Sequence, residues 1–381
     1  MTRLDPAVSG VRHLYVHLPF CAHRCGYCDF VTVLGDQEHH AAYVEALLAE
    51  LEHERGLLVE PLETIFLGGG TPSLTRSDAL ARLLSSLPVA RELTIEANPE
   101  TVTKELALRL GRYGVTRVSL GAQSFQPRLL EVLDRRATPE VVRRAFYHLR
   151  DAGFDNISLD LIYGIPGQSP ADLERDLEAA LALAPEHLSL YELEAKPGAR
   201  FTHAHGEELE RQAEAMEGYL ERLVHVLRSA GYRWYETANF CLGADRAGGR
   251  DLRSRHNLAY WRGRDYLGLG IGAVSTVGSV RWRNAPRLPA YLAALAEGRT
   301  PPRELEPLSP EVRLRERAML GLRLDQPLPL STVDGTLDAQ AVVRMEDLAL
   351  VERRGSGSRA TIALTERGRF VGDAVAAELI A

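Results

Sequence analysis

The stretch Tyr15-Val16-His17-Leu18-Pro19-Phe20-Cys21-Ala22-His23-Arg24-Cys25-Gly26-Tyr27-Cys28 sets the reading of the whole chain. A short β-rich run, His13 to His17, ends in a loop that carries three cysteines spaced C-x3-C-x2-C. The 381 residues hold only 4 cysteines, too few for a disulfide scaffold. Cysteines this close together in a reducing compartment bind metal or do redox chemistry. Three thiolates on one loop suit three irons of a 4Fe-4S cluster, and the missing fourth leaves one iron open to a ligand. A structural zinc site is the competing reading. It needs a fourth ligand such as His23, His17 or the distant Cys241, and the spacing is not the paired C-x2-C of zinc ribbons.

Outward from this loop, β-rich runs alternate with helical stretches, the pattern of parallel βαβ units. Strands are expected at 13–17, 64–67, 93–97, 117–121, 156–161 and 187–192, with helices over 41–55, 77–87, 104–113, 139–152 and 170–183. The last two open with Thr138-Pro139 and Ser169-Pro170, a cap residue followed by proline at the first helical position. Chemically loaded residues fall at the end of every strand. The cysteines follow the first, Gly68-Gly69-Gly70-Thr71-Pro72 the second and Glu96-Ala97-Asn98-Pro99 the third. Gly121-Ala122-Gln123-Ser124-Phe125 follows the fourth, Asp160 and Tyr163-Gly164 the fifth, and Tyr191 to Lys196 the sixth. An open sheet would gather such residues at one switch point, whereas a barrel presents them around one face. The expected fold is therefore α/β: a partial, TIM-like (β/α)6 barrel.

The composition agrees, with 45% hydrophobic and 25% charged residues. No apolar run approaches the roughly 18 residues of a membrane span, and Met1 to Pro6 lacks an apolar signal core. The formal net charge of -7 gives no footprint for nucleic acid, so a soluble, cytoplasmic protein is expected. Beyond the barrel, Tyr232 to Glu236 reads as a strand, and Leu267 to Gly272 with Val274 to Trp282 as a further strand or a hairpin. After Pro301-Pro302, two helices (310–320, 339–348) and a two-stranded ribbon (350–354, 359–364) suggest a winged-helix-like module. The expected divisions are 1–240, 241–302 and 303–381.

The cysteine spacing after the first strand resembles that of the radical S-adenosylmethionine (SAM) enzymes. The resemblance implies that the open iron chelates the amino and carboxylate groups of SAM, and that one electron cleaves the sulfonium to methionine and a 5'-deoxyadenosyl radical. With the five strand-end motifs and Tyr235-Glu236-Thr237-Ala238-Asn239-Phe240, the whole chain resembles the oxygen-independent coproporphyrinogen III oxidase family. Carried over by motif, Cys21, Cys25 and Cys28 hold the cluster. Tyr15, Tyr27, Gly69, Gly70, Thr71, Glu96, Gln123, Arg135 and Asp160 fall at the SAM site. Glu96 and Asp160 offer acceptors for hydroxyls or an ammonium, and Arg135 a fork for a carboxylate.

The chain departs from the decarboxylating branch of that family. Cys28-Asp29-Phe30 has phenylalanine where the oxidases carry a fourth cysteine, and only fourteen residues precede Tyr15. Both features resemble the haem-chaperone (HemW-type) branch, as does His256-Asn257-Leu258-Ala259-Tyr260-Trp261. His256 is a candidate axial iron ligand, and Tyr260 and Trp261 are candidate stacking partners for a porphyrin. The motif lies in a segment, Arg246 to Arg287, with nine arginines against Asp251 and Asp265. Those cations suit propionates, and a set of solvated loop arginines is the plain alternative. For His256 the plain alternative is a histidine fixed by hydrogen bonds with Tyr260 and Trp261 in a local core. Two functions follow: a haem chaperone that retains the cluster and SAM and passes haem to an acceptor protein, a membrane respiratory enzyme being one candidate, or an oxidase that decarboxylates coproporphyrinogen III. Whether the chain is an enzyme stays open between them.

Overall fold

The computed structural model describes residues 10–35, 37–194 and 200–380; the expectations for Met1 to Pro6 and for Lys196 lie outside the described residues. The chain forms two compact units, 1–219 with 265–306, and 220–264 with 307–381. This differs from the expected divisions at 240 and 302. The arginine-rich segment is not a unit of its own: it is cut between Arg264 and Asp265. The reason is that Leu267–Leu269 pairs with the first barrel strand, which draws the chain from Asp265 onward into the barrel unit.

In the first unit six strands lie parallel in sequence order: β1 (His13–Leu18), β2 (Leu62–Gly69), β3 (Ala90–Ala97), β4 (Arg117–Gln123), β5 (Ile157–Tyr163) and β6 (His187–Glu192). The outer edge of β1 is taken by Leu267–Leu269, also parallel, so the sheet curves as a partial barrel without β1 meeting β6. Helices connect successive strands, among them His39–Glu54, Ser77–Ser86, Lys104–Arg112, Pro139–Asp151 and Pro170–Ala182. Thr138 and Ser169 cap the last two as expected, Ser169 in a reciprocal capping box with Asp172. The short helix Pro127–Val132 and the pair Arg200–Ala213 and Met216–Ser229 were not foreseen.

The strands alternate in phase. Leu14, Val16, Ile65, Leu67, Ile95, Val118, Leu120, Ile157, Leu159, Leu188 and Leu190 are buried on one side. The opposite phase is polar: Thr94, Glu96, Arg117, Ser119, Ser158, Asp160, His187 and Ser189. Contacts among these residues place them together inside the barrel. Arg117 Nη2 and Ser158 Oγ meet His187 Nδ1 at 3.2 and 2.8 Å, and Ser119 Oγ donates to both Asp160 oxygens at 3.0 and 3.1 Å. A period of two thus separates an aliphatic layer under the helices from a polar interior.

One buried carboxylate ties the barrel's edge together. Glu50, fully enclosed on helix His39–Glu54, accepts from Gly270 N (2.8 Å), Tyr291 Oη (2.7 Å) and Asn284 Nδ2 (2.7 Å), and pairs with Arg303 at 3.2 Å. Burial raises its pKa, and these donors oppose that shift. The residues after Leu269, the hairpin 274–277/280–284 and the helix Leu288–Ala296 are all pinned through this one side chain.

In the second unit Tyr232–Trp234 and Asn239–Leu242 form an antiparallel hairpin, followed by helix Arg255–Trp261. The C-terminal part has the two expected helices, Pro310–Gly321 and Ala339–Asp347, and the ribbon Val351–Arg354/Thr361–Leu364. It adds a third strand, Leu328–Pro329, and helices Glu366–Phe370 and Gly372–Leu379. Ile362, Val333, Ala341, Val375 and Leu379 form its core.

Glu50→Ala removes the shared acceptor of Gly270 N–H, Tyr291 Oη and Asn284 Nδ2, and one of the two carboxylates paired with Arg303, which keeps Glu54. A loss of about 3 kcal/mol is expected, with Glu50→Gln losing less because its amide oxygen still accepts. Urea unfolding of the two variants checks this; equal stability of Glu50→Ala and wild type would show that the cluster contributes nothing.

Candidate functional site

The carboxyl ends of β1 to β5 bring most of the expected residues together. Cys21 lies at the start of the loop, buried, with its Sγ 3.5 Å from Thr71 Oγ1. Cys25 and Cys28 are half-buried, and Cys28 N donates to Cys25 O at 3.1 Å, which gives the loop its turn. Arg135 Nη1 approaches Cys25 Sγ at 3.8 Å, and its Nη2 donates to Asn98 Oδ1 and Gly121 O at 3.0 Å each. Its neighbour Arg136 is exposed, so Arg135 is the arginine of this site. Burial raises the pKa of Cys21 and of Cys28, and the Thr71 hydroxyl opposes the shift at Cys21.

Among the described residues no three His, Cys, Asp or Glu side chains converge as ligands of a single metal ion. The three candidate fourth ligands of a zinc site each have partners of their own in this fold. His17 is buried and held between Tyr15 Oη (3.1 Å) and Val31 O (2.9 Å), with its pKa lowered to about 4 by burial. His23 Nε2 bonds Asp134 O at 2.7 Å, 3.8 Å from Cys25 Sγ. Cys241 sits in the second unit's hairpin, packed with Tyr235, Leu252 and Leu258, and burial pushes its thiol to about 12.

The glycine turn leaves room where a side chain would close it. A Cβ on Gly68 would stand 3.1 Å from both Glu96 Oε2 and Tyr15 Cε2, and Gly69 has φ +112 with the His17 ring 2.5 Å from where its Cβ would be. Gly69 N donates to Glu96 Oε2 at 3.1 Å, while Gly70 N is spent on Leu18 O at 2.9 Å. Tyr15 stacks on Phe66, and Tyr27 packs against the cluster of Leu129, Ile162 and Phe201. Gln123 holds φ +65 where the β4–β5 register shifts, a backbone state uncommon for a non-glycine residue. Arg135 Nε is a buried donor with no acceptor, a vacancy that a ligand carboxylate matches. These features fit a zwitterionic amino-acid ligand beside the three thiols.

Glu96 and Asp160 face each other across the interior. Burial, then the Asp160 charge, raise the Glu96 pKa to about 8, opposed by Gly69 N–H and Arg117. Burial also raises Asp160, opposed by Arg117 and the serines 189, 119 and 158. Arg117, Ser119, Asn98 and His187 were missed as site residues. Arg117 and Ser119 were signalled by polar residues recurring with period two in a strand, and Asn98 by its place in the third strand-end motif.

The His256 motif belongs to the second unit. His256 is 1% exposed, and its Nε2 lies 3.0 Å from Tyr260 Oη with the rings edge to face. Trp261 bonds the buried carboxylate of Glu236, which also accepts from Ala238 N (3.0 Å) and Asn239 Nδ2. Tyr235 Oη accepts from Ser254 N at 3.2 Å. The Tyr235–Phe240 and His256–Trp261 motifs are therefore partners of one another. The arginines around them are partly spent: Arg253 pairs with Asp251 (2.7 Å), Arg262 donates to Gln326 (2.8 Å) and Arg246 to Ala230 O (2.7 Å). Four of them lie close enough to repel one another: after burial, the charges of Arg253, Arg264 and Arg255 lower the Arg262 pKa.

The fold and this strand-end site define a radical SAM protein: residues 15–180 match the Radical SAM superfamily model, and residues 308–371 the HemN C-terminal domain. Such a protein implies a 4Fe-4S cluster and SAM. More narrowly, the chain belongs to the HemW family. It is 36% identical over 379 residues to the heme chaperone HemW of Mycobacterium tuberculosis (strain CDC 1551 / Oshkosh), covering 96% of this chain and 94% of that one. It is 32% identical to the Bacillus subtilis (strain 168) HemW, with 96% and 98% covered, and 37% to that of Escherichia coli (strain K12), with 68% of each covered. The solved structure of coproporphyrinogen III oxidase (HemN) from Escherichia coli superposes with a TM-score of 0.78 over 97% of this chain and 90% of that one, at 23% identity, which establishes the shared fold.

A carboxyl with a raised pKa keeps a proton in the folded state that the unfolded chain has lost. From about 4.5 to about 8, the Glu96 contribution to stability therefore falls as pH rises, and it is constant outside that window. Glu96→Gln is expected to flatten the decline of the urea midpoint across this window. An identical slope in the variant would place the Glu96 pKa near its ordinary value.

Proposed function

We propose that the chain is a haem chaperone that carries a 4Fe-4S cluster on Cys21, Cys25 and Cys28, binds SAM at the barrel mouth and transfers haem to an acceptor protein. The carrying observation is the match, nearly end to end, to relatives named as haem chaperones. Phe30 supports it, standing 60% exposed where a fourth cysteine would mark the oxidase branch. When bound, the cluster supplies one-electron reduction of a ligand at its open iron. The chain's own groups do the binding: Arg135 meets the SAM carboxylate, the Gly68–Gly70 turn admits its amino-acid moiety, and Glu96, Gln123 and Asp160 accept from or donate to its ammonium and hydroxyls. Tyr15, Tyr27 and Thr71 complete the walls.

For haem, the reading assigns His256, Tyr260 and Trp261. Axial ligation by Nε2 requires His256 to give up its Tyr260 bond, so haem binding and local rearrangement go together. The acceptor is proposed to be a membrane respiratory enzyme reached from the cytoplasm; no helix among the described residues is long and apolar enough to cross a membrane. The second reading, oxidative decarboxylation of coproporphyrinogen III, draws on the shared fold of the oxidase.

Anaerobic reconstitution followed by two assays separates the readings. Haemin titration by Soret absorbance should saturate, and coproporphyrinogen III should not be turned over; robust decarboxylation would overturn the chaperone. His256→Ala should weaken haemin binding at least tenfold, and unchanged affinity would remove its axial role. Single serine replacements at Cys21, Cys25 or Cys28 should abolish the broad visible absorption, with Cys241→Ser retaining it. Equal loss at Cys241 would mean a four-cysteine site with no open iron.

A further inference from the structure

One amide side chain links two of the three thiols. Asn98 Nδ2 donates to Thr71 Oγ1 at 3.0 Å, and Thr71 Oγ1 lies 3.5 Å from Cys21 Sγ. On its other side Asn98 Oδ1 accepts from Arg135 Nη2 at 3.0 Å, and Arg135 Nη1 reaches Cys25 Sγ at 3.8 Å. The chain Cys21–Thr71–Asn98–Arg135–Cys25 has a fixed polarity, because a guanidinium has only donors. The Asn98 atom facing Arg135 must be the carbonyl oxygen, so the NH2 must face Thr71. Thr71 Oγ1 then spends a lone pair on Asn98, and its own proton is left for Cys21 Sγ. The Asn98 backbone is pinned as well: its N–H donates to Ser73 Oγ at 3.2 Å and its carbonyl accepts from Thr101 Oγ1 at 2.7 Å.

We infer that Asn98 is a positioning residue for the cluster: by orienting Thr71 and Arg135 it aims one donor at the Cys21 thiolate and one at the Cys25 thiolate. This rests on the reading of these cysteines as cluster ligands. Hydrogen bonds to cysteine sulfurs stabilise the reduced, more negative state, and so raise the reduction potential. Asn98 thereby makes the cluster easier to reduce without touching it.

The test is a mediated potentiometric titration of the reconstituted full chain, followed by EPR of the reduced cluster. Failure of the wild-type protein to assemble a cluster would overturn the underlying reading; every outcome below presupposes assembly and bears on Asn98 alone. Asn98→Asp keeps the acceptor for Arg135 but turns the Thr71 proton away from Cys21. It should shift the midpoint to more negative values and alter the EPR g-values, with the melting temperature of the cluster-free protein preserved. Asn98→Leu, of similar volume, should also lower the midpoint. Wild-type potentials in both variants would reduce Asn98 to a space-filling residue and overturn the inference. In a double-mutant cycle, the Asn98→Asp shift should be smaller in a Thr71→Val background, and equal shifts in the two backgrounds would overturn the route through Thr71. Should Thr71→Val assemble no cluster, resonance Raman decides the same point in the intact chain. The Fe–S(Cys) stretch should move between H2O and D2O more in wild type than in Asn98→Asp, and equal isotope shifts would overturn it.

Discussion

Arg117 lies in the polar interior of the barrel, 2% exposed, and its charge acts on both acids of the site above it. Glu96 and Asp160 are both held where water screens them poorly, and each raises the cost of charging the other. Arg117 favours the ionised form of both. Its partner on the far side, His187, is kept neutral first by burial and then by Arg117 itself, so the imidazole adds no second positive charge. The same interior face of β3 carries a further buried acid, Glu92, in phase with Thr94 and Glu96.

That arrangement explains why the strands look as they do. A barrel filled by aliphatic layers would read as continuous Val, Ile and Leu. Here polar residues take most of the alternate positions of β3 to β6, Ala90, Gly121 and Ile162 excepted, because those positions face one another and then a ligand. The alternation made the six strands and their helices legible within a residue or two at most boundaries. The strand-end rule gathered Cys21, Thr71, Glu96, Gln123 and Asp160, and the family resemblance added Arg135. Thr138 and Ser169 were legible for a local reason, since a cap followed by proline is a signal confined to two residues.

What stayed illegible depends on contacts between residues far apart in the chain. Glu50 reads as one more acid on a helix face, and only its meeting with Asn284, Tyr291 and Arg303, more than two hundred residues later, makes it a buried anchor. The unit boundaries turn on the same kind of contact: a strand was expected from Leu267, but only its pairing with β1 draws that stretch into the barrel unit. At His256 the residue types were compatible with both a ligand and a satisfied core histidine. The sequence could not say that Tyr260 already holds its Nε2. Asn98 was quoted as part of a motif, but the direction of its amide follows only from which neighbour can donate.

The interleaving of the two units has a consequence for biosynthesis. Neither is a contiguous stretch: the barrel unit needs residues 265–306 to cover the outer edge of β1, and the other needs 307–381 to complete what 220–264 begins. As the chain leaves the ribosome, all six barrel strands emerge well before the segment that shields their exposed edge, and Glu50 waits for its partners until Arg303 has been made. The cysteine loop is thus synthesised early, on a scaffold whose final bolt arrives late. The folded barrel unit, cysteine loop included, is therefore complete only once residue 306 has been made.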